Sequence, residues 1–187
     1  AVVQWLRDGL KIITDAPQTQ TLANAADLGQ NLVLVPAFTG LGAPYWNAEC
    51  RGAIYGLSRN SGPAEFAKAS LESVGFQTRD LLEAMQADWP RDAAKAVLRV
   101  DGGMSASNWT MQFLADIIGA AVDRPEVLET TALGVAFFAG YQIGIFKSLD
   151  QIKRKWKKDK TFKPKLSSTM RKKLLNGWKL SVEKTLL

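Results

Sequence analysis

Apolar residues recur at three- and four-residue intervals in five stretches, and each predicts a helix. Val3, Leu6, Leu10 and Ile13, widened by Trp5 and Ile12, predict one over 3–14, with Pro17 marking its exit. A polar stretch holding Asn24, Asp27 and Gly29 follows. Phe66, Ala69, Ser70, Val74, Gln77, Leu81 and Met85 form a stripe over 63–87. Ser61 and Pro63 signal its start and Trp89-Pro90 its end. Trp109, Met111, Phe113, Leu114, Ile117 and Ile118 mark a third helix, capped by Ser105 or Ser107 and closed by Gly119. The fourth opens at Thr130 and carries Ala132, Gly134, Ala136, Ala139 and Gly140, so a helix, sheet or ligand is expected close to it. The last runs from Ser167 to Thr185, with Met170, Leu174, Trp178 and Val182 on one face.

Between the helices lie short apolar runs at Leu32–Val35, Gly52–Leu57, Val97–Val100 and Ala121-Val122, read as strands. Arg124-Pro125-Glu126 reads as a turn, and Phe162-Lys163-Pro164 as a linker. Strands alternating with helices indicate an α/β class. Three or four strands make a thin sheet for 187 residues, so either the sheet is small or part of it lies outside this chain.

Composition narrows the chemistry. With no histidine and one cysteine, Cys50, the chain has no His-based acid–base catalysis, no Cys/His zinc site and no internal disulfide. Cys50 reads as a small packed or surface residue, and its isolation suits the cytoplasm. No apolar run is long enough to span a bilayer, and the N-terminus lacks the pattern of a signal peptide. The chain opens on Ala1 inside a helical pattern and is expected to be a fragment. After residue 146, fourteen Lys/Arg face three Asp/Glu, a balance of +11, so the first 146 residues carry −5 of the net +6. Such a tail is either a solvated face or a binder of phosphate backbones. The second reading needs aromatics among the bases, and Trp156 beside Lys155, Lys157 and Lys158 is the one such place; Phe162 and Trp178 read as packing residues.

Three stretches could carry chemistry. Asp101-Gly102-Gly103 stands between a strand and a helix. Glycines there let a ligand approach the backbone, and a strand's carboxyl end is where α/β sheets bind ligands; a tight structural turn is the alternative. Gly40-Leu41-Gly42-Ala43-Pro44-Tyr45-Trp46 lacks the G-x-x-x-x-G-K-[ST] phosphate loop and reads as a structural corner with exposed aromatics. Asp80 and Glu83 are three apart on the long helix and could bind metal, or simply be solvated.

Gly52-x-Ile54-x-Gly56-Leu57, seven residues, then Glu65-Phe66-x-x-Ala69-Ser70-Leu71-Glu72 resembles the C-terminal signature of the FGGY carbohydrate kinases. Pro36–Trp46, Tyr55-Gly56-Leu57, Gln77-Thr78-Arg79-Asp80, Arg99–Gly103, Arg124-Pro125-Glu126 and Thr131-Ala132-Leu133-Gly134 resemble the branch of that family that phosphorylates glycerol, as does Gln4–Asp8. The likeness covers residues 1–146 well and the tail loosely.

The resemblance implies an actin-like ATPase (ribonuclease-H-like) C-terminal domain, incomplete at its N-terminal strands. Residues 1–146 are then a partial nucleotide-binding domain, and 147–187 a basic helical extension packed on it. It implies ATP and Mg²⁺ as cofactors, glycerol as acceptor, a missing N-terminal domain as partner and a homo-oligomer, with neither nucleic acid nor membrane. The catalytic aspartate is expected upstream, so the chain alone is expected to be inactive. Nucleotide contacts carry over to Gln4, Gly102, Gly103, Met104 and Ser107. The family often has asparagine at the position of Ser107, which keeps a hydroxyl but lacks the amide's paired donor and acceptor; Asn108 stands next to it. The alternatives are the same part of another sugar or polyol kinase of the family, or a basic nucleic-acid-binding module.

Overall fold

A computed structural model describes residues 1–88 and 97–187; the expected helix end at Trp89-Pro90 lies outside the described residues. The first helix, α1 (Val2–Gln4), runs on as a π turn over Trp5–Gly9. It stops short of residue 14 because Lys11 takes a left-handed backbone, φ 58°, which a helix cannot continue through.

A helix not anticipated from sequence follows, α2 (Ala16–Ala25). Asp15 is its cap: the carboxylate accepts the Gln18 N–H at 3.0 Å. Pro17 therefore begins a helix rather than ending one, because proline's missing N–H costs nothing in a first turn.

Two short strands, β1 (Val33–Val35) and β2 (Ala53–Tyr55), pair antiparallel, with Leu34 opposite Ile54. The corner between them holds Trp46 exposed, but Tyr45 turns inward. The long helix α3 (Pro63–Asp88) crosses the centre of the molecule, packed on α2 on one side and on α4 (Asn108–Ile118) on the other.

Glu65 fastens the start of α3. Its carboxylate accepts N–H groups from Gly62 at 2.9 Å and Asp27 at 3.0 Å, and these bonds hold its pKa below the ordinary glutamate value. Its stabilisation is thus present above the ordinary glutamate range and is lost as pH falls through the lowered folded value. Glu65→Gln is expected to lower the urea midpoint at pH 7, by an amount that shrinks as the solution is acidified below that range.

A second sheet has the order β3 (Leu98–Arg99), β4 (Val122–Pro125), β5 (Lys158–Phe162). The β3–β4 pair is parallel and β4–β5 antiparallel. Arg124 and Pro125 belong to β4 instead of forming a turn. β5 also went unanticipated, because Lys158-Asp159-Lys160-Thr161 reads as a charge run. It is an edge strand, where lysines block further pairing. The tail is thus a small helix α6 (Leu149–Lys153), a strand and a helix α7 (Ser168–Thr185), not helix alone.

Four aromatic rings tie the helices together. Trp178 of α7 stacks on Phe76 of α3 at 5.1 Å, and Phe76 meets Phe113 of α4 edge-on at 5.4 Å. Phe113 stacks on Trp109 at 5.6 Å, at the start of α4. Each pair adds roughly 0.5–1.5 kcal/mol beyond its burial.

The same helices hold a polar knot. Asp80 Oδ2 accepts the Trp178 indole N–H at 2.6 Å and the Tyr45 hydroxyl at 2.8 Å. Burial pushes the Asp80 carboxyl up against these two donors, and burial and Asp80 together push the Tyr45 phenol up. Glu83 pairs with Arg79 one turn back, and Arg79 also donates to the Ile118 carbonyl at 3.1 Å. Asp80 is therefore structural, and Glu83 is an ion-pair partner. Among the described residues no group of three His, Cys, Asp or Glu could hold a metal ion.

The small residues of helix α5 (Thr130–Gln142) do not carry the expected helix or sheet: Ala132, Ala136 and Ala139 are exposed, and Gly140 is approached by Phe146 of the following loop. A side chain at Gly140 would stand 2.9 Å from the Phe146 ring, whereas at Gly134 it would meet open space. Val135, Phe138 and Tyr141 of α5 lie exposed.

Candidate functional site

The Asp101-Gly102-Gly103 turn leaves β3 and enters a 3₁₀ turn, Gly103–Ala106, ahead of α4. Gly102 has φ 79° and ψ 170°, a conformation open essentially to glycine. Its N–H donates to the Leu128 carbonyl at 2.7 Å, and its carbonyl accepts Ser105 N–H at 3.0 Å and the Ser105 hydroxyl at 2.6 Å. Asp101 accepts the Thr130 hydroxyl, which ties the turn to the start of α5. Gly102 is thus fully engaged with the chain. A β-carbon at either glycine would meet nothing within 4 Å, but only Gly103 of the two lines a groove and lacks the positive φ.

That open side faces a groove of about 540 Å³. Gln4 on α1, Gly103 and Met104 on the 3₁₀ turn, and Ser107 line it, together with Arg7, Pro17, Gln20 and Leu71. Four of the five residues marked in the sequence therefore share one wall system. Gly102 stands behind the wall and shapes the turn. Gln4 is exposed, and Arg7 pairs with Asp8 at 2.7 Å on the surface.

Ser107 caps α4. Its oxygen accepts the Thr110 N–H at 3.2 Å and the Thr110 hydroxyl at 2.9 Å, and its proton goes to Gln20 Oε1 at 3.2 Å. One donor and two lone pairs are a hydroxyl's whole capacity, and all are spent within the chain. Asn108, next to it, is turned toward Arg124. Its Oδ1 accepts from Arg124 at 3.0 Å, and its side chain lines a different cleft.

Sequence reasoning missed two residues at this site. Gln20 reaches the start of α4 from α2, where its Oε1 also accepts the Trp109 N–H at 3.0 Å. Arg124 grips the 3₁₀ turn from behind, donating to the Ser105 carbonyl at 3.0 Å and the Ala106 carbonyl at 3.3 Å, while Asp159 holds its Nε at 2.7 Å. The Arg-Pro-Glu motif signalled Arg124 without its role. Nothing local signals Gln20.

A larger cleft of about 850 Å³ lies beyond Gln20, between α4 and the tail. Asp116 on its wall accepts N–H groups from Lys165 and Leu166, the latter at 3.2 Å, so it anchors the tail. Lys68 and Glu72, 3.3 Å apart, close another side, and burial raises the Glu72 pKa. Trp156, the one tail aromatic set among bases, carries the Arg99 guanidinium on its ring at 4.2 Å.

A glycine turn at a strand's end, opening onto a groove beside a helix start, on an α/β scaffold with helices around small sheets, is the arrangement of an actin-like ATPase C-terminal domain. The chain belongs to the FGGY family of carbohydrate kinases: residues 1–143 match the model of its C-terminal domain. Glycerol kinases from Roseobacter denitrificans and Sinorhizobium fredii are 60% and 58% identical over the whole chain. The chain spans 38% of the length of each of them. Among solved structures, Plasmodium falciparum glycerol kinase with ADP superposes with a TM-score of 0.84 at 33% identity, over 99% of this chain and 36% of that one. A xylulose kinase from Lactobacillus acidophilus shares the fold alone, with a TM-score of 0.77 at 22% identity over 98% of this chain and 36% of that one.

Proposed function

We propose that this chain is the ATP-binding part of a glycerol kinase, which moves the terminal phosphoryl group of ATP to glycerol and yields glycerol 3-phosphate. The observation that carries the reading is the groove, where Gln4, Gly103, Met104 and Ser107 converge on an open backbone turn. The relatives near 60% identity support the glycerol branch, and the ADP-bound relative supports the nucleotide.

Gly103 lets the nucleotide lie against the backbone, Gly102 holds the turn in shape, and Gln4 and Met104 border the nucleoside. Phosphoryl transfer is largely a matter of positioning and charge stabilisation. Holding the nucleoside end fixes where the terminal phosphoryl group lies. A carboxylate takes the proton of the attacking hydroxyl in such reactions. Asp101 is committed to Thr130, and no residue of this chain is assigned as that base. Mg²⁺ belongs to this chemistry, where it would neutralise charge on the phosphates that the nucleotide brings. The same reading carries a homo-oligomer in the cytoplasm. Among the described residues no helix is long and apolar enough to cross a membrane.

The test is a chimera in which this chain replaces the matching stretch of the Roseobacter denitrificans enzyme. It is expected to phosphorylate glycerol with Mg-ATP at a rate comparable with the parent's. A folded chimera without turnover would contradict the proposal.

A further inference from the structure

We infer that Gln20 is a nucleobase-reading residue of the groove. The inference rests on the proposed nucleotide reading of that groove.

Two donors fix the orientation of the Gln20 amide. The Trp109 N–H and the Ser107 hydroxyl both point at Oε1, at 3.0 and 3.2 Å. A backbone N–H cannot accept, so the oxygen faces α4 and the nitrogen faces away from these partners. That Nε2 carries two protons and makes no hydrogen bond among the described residues. Gln20 stands on the wall between the two clefts, lining the groove with Gln4, Gly103 and Ser107 as well as the larger cleft between α4 and the tail.

The two side chains therefore have different tasks. Ser107 caps α4 and has no capacity left, while Gln20 is held by that cap and keeps unspent donors. An amino N–H suits a ring nitrogen acceptor of a purine, and so favours a base that presents one at the groove wall. Packing of Phe113 on Phe76 of α3 keeps α4 in place, so the Gln20 anchor does not depend on the ligand.

The experiment uses the chimera, with ADP and its 1-, 3- and 7-deaza analogues as probes in titration calorimetry. Gln20→Glu keeps an oxygen for Trp109 and Ser107 but replaces the amino donors. It is expected to leave the melting midpoint unchanged and to weaken ADP binding about tenfold, the worth of one lost hydrogen bond. One deaza analogue is expected to bind the parent about as weakly as ADP binds the variant, with no further loss in the variant. That coupling separates base contact from the added negative charge. ADP bound equally by parent and variant would overturn the inference, as would deaza losses identical in both proteins. A parent chimera that binds no ADP would overturn the groove reading and this inference with it.

Discussion

Gly103→Leu is expected to weaken ADP binding on the order of 100-fold, about 2.8 kcal/mol, with little change in folding stability. The two halves of that expectation come from one observation. A β-carbon at position 103 meets no other atom within 4 Å and the backbone there has no positive φ, so the fold is expected to tolerate a side chain. The same space is where a ligand must lie to touch the turn backbone, so a leucine there displaces it. Leucine is preferred to valine because it is not β-branched and leaves the 3₁₀ turn undisturbed. Gly102→Ala is the contrast. With φ 79° it strains the turn by about 1–3 kcal/mol, so stability and binding fall together. Calorimetric titration paired with urea unfolding checks both variants. Equal ADP affinity in Gly103→Leu would place the nucleotide elsewhere.

Trp178→Ala is expected to cost about 3–5 kcal/mol of stability, the range for truncating a buried tryptophan. Trp178 is 1% exposed and stacked on Phe76. It is also one of the two side chains that donate to the half-buried Asp80 carboxylate. Truncation removes the packing, leaves a cavity and strips one donor from a carboxylate that burial already disfavours in its charged form. Trp178→Phe keeps the ring and loses the N–H, so it is expected to cost less. Urea midpoints of the two variants read the difference directly. A loss below 1 kcal/mol for alanine would mean that α7 does not share the core.

Much of this fold is written locally. The long helix is legible because its stripe, Ser61 and its early proline, Pro63, all agree on where it begins. The Gly102–Ser107 turn is legible because glycines after an apolar run have few other uses. What stayed hidden depends on partners distant in sequence. Pro17 reads as a stop until Asp15 is seen to cap the next helix. Lys158–Phe162 reads as solvated charge until β4 offers it hydrogen bonds. At the site, Gln4, Gly103 and Met104 were legible through motif resemblance. Gln20 was not, because it works on Ser107 and Trp109, 87 and 89 residues away. Arg124 acts on carbonyls 18 and 19 residues back, which no local pattern encodes.

The most direct measurement is a crystal structure of the chimera with ADP. The account predicts the nucleoside in the groove between Gln4 and the Gly103 turn, its base beside Gln20. Nucleotide ordered instead in the larger cleft between α4 and the tail, with the groove empty, would contradict it.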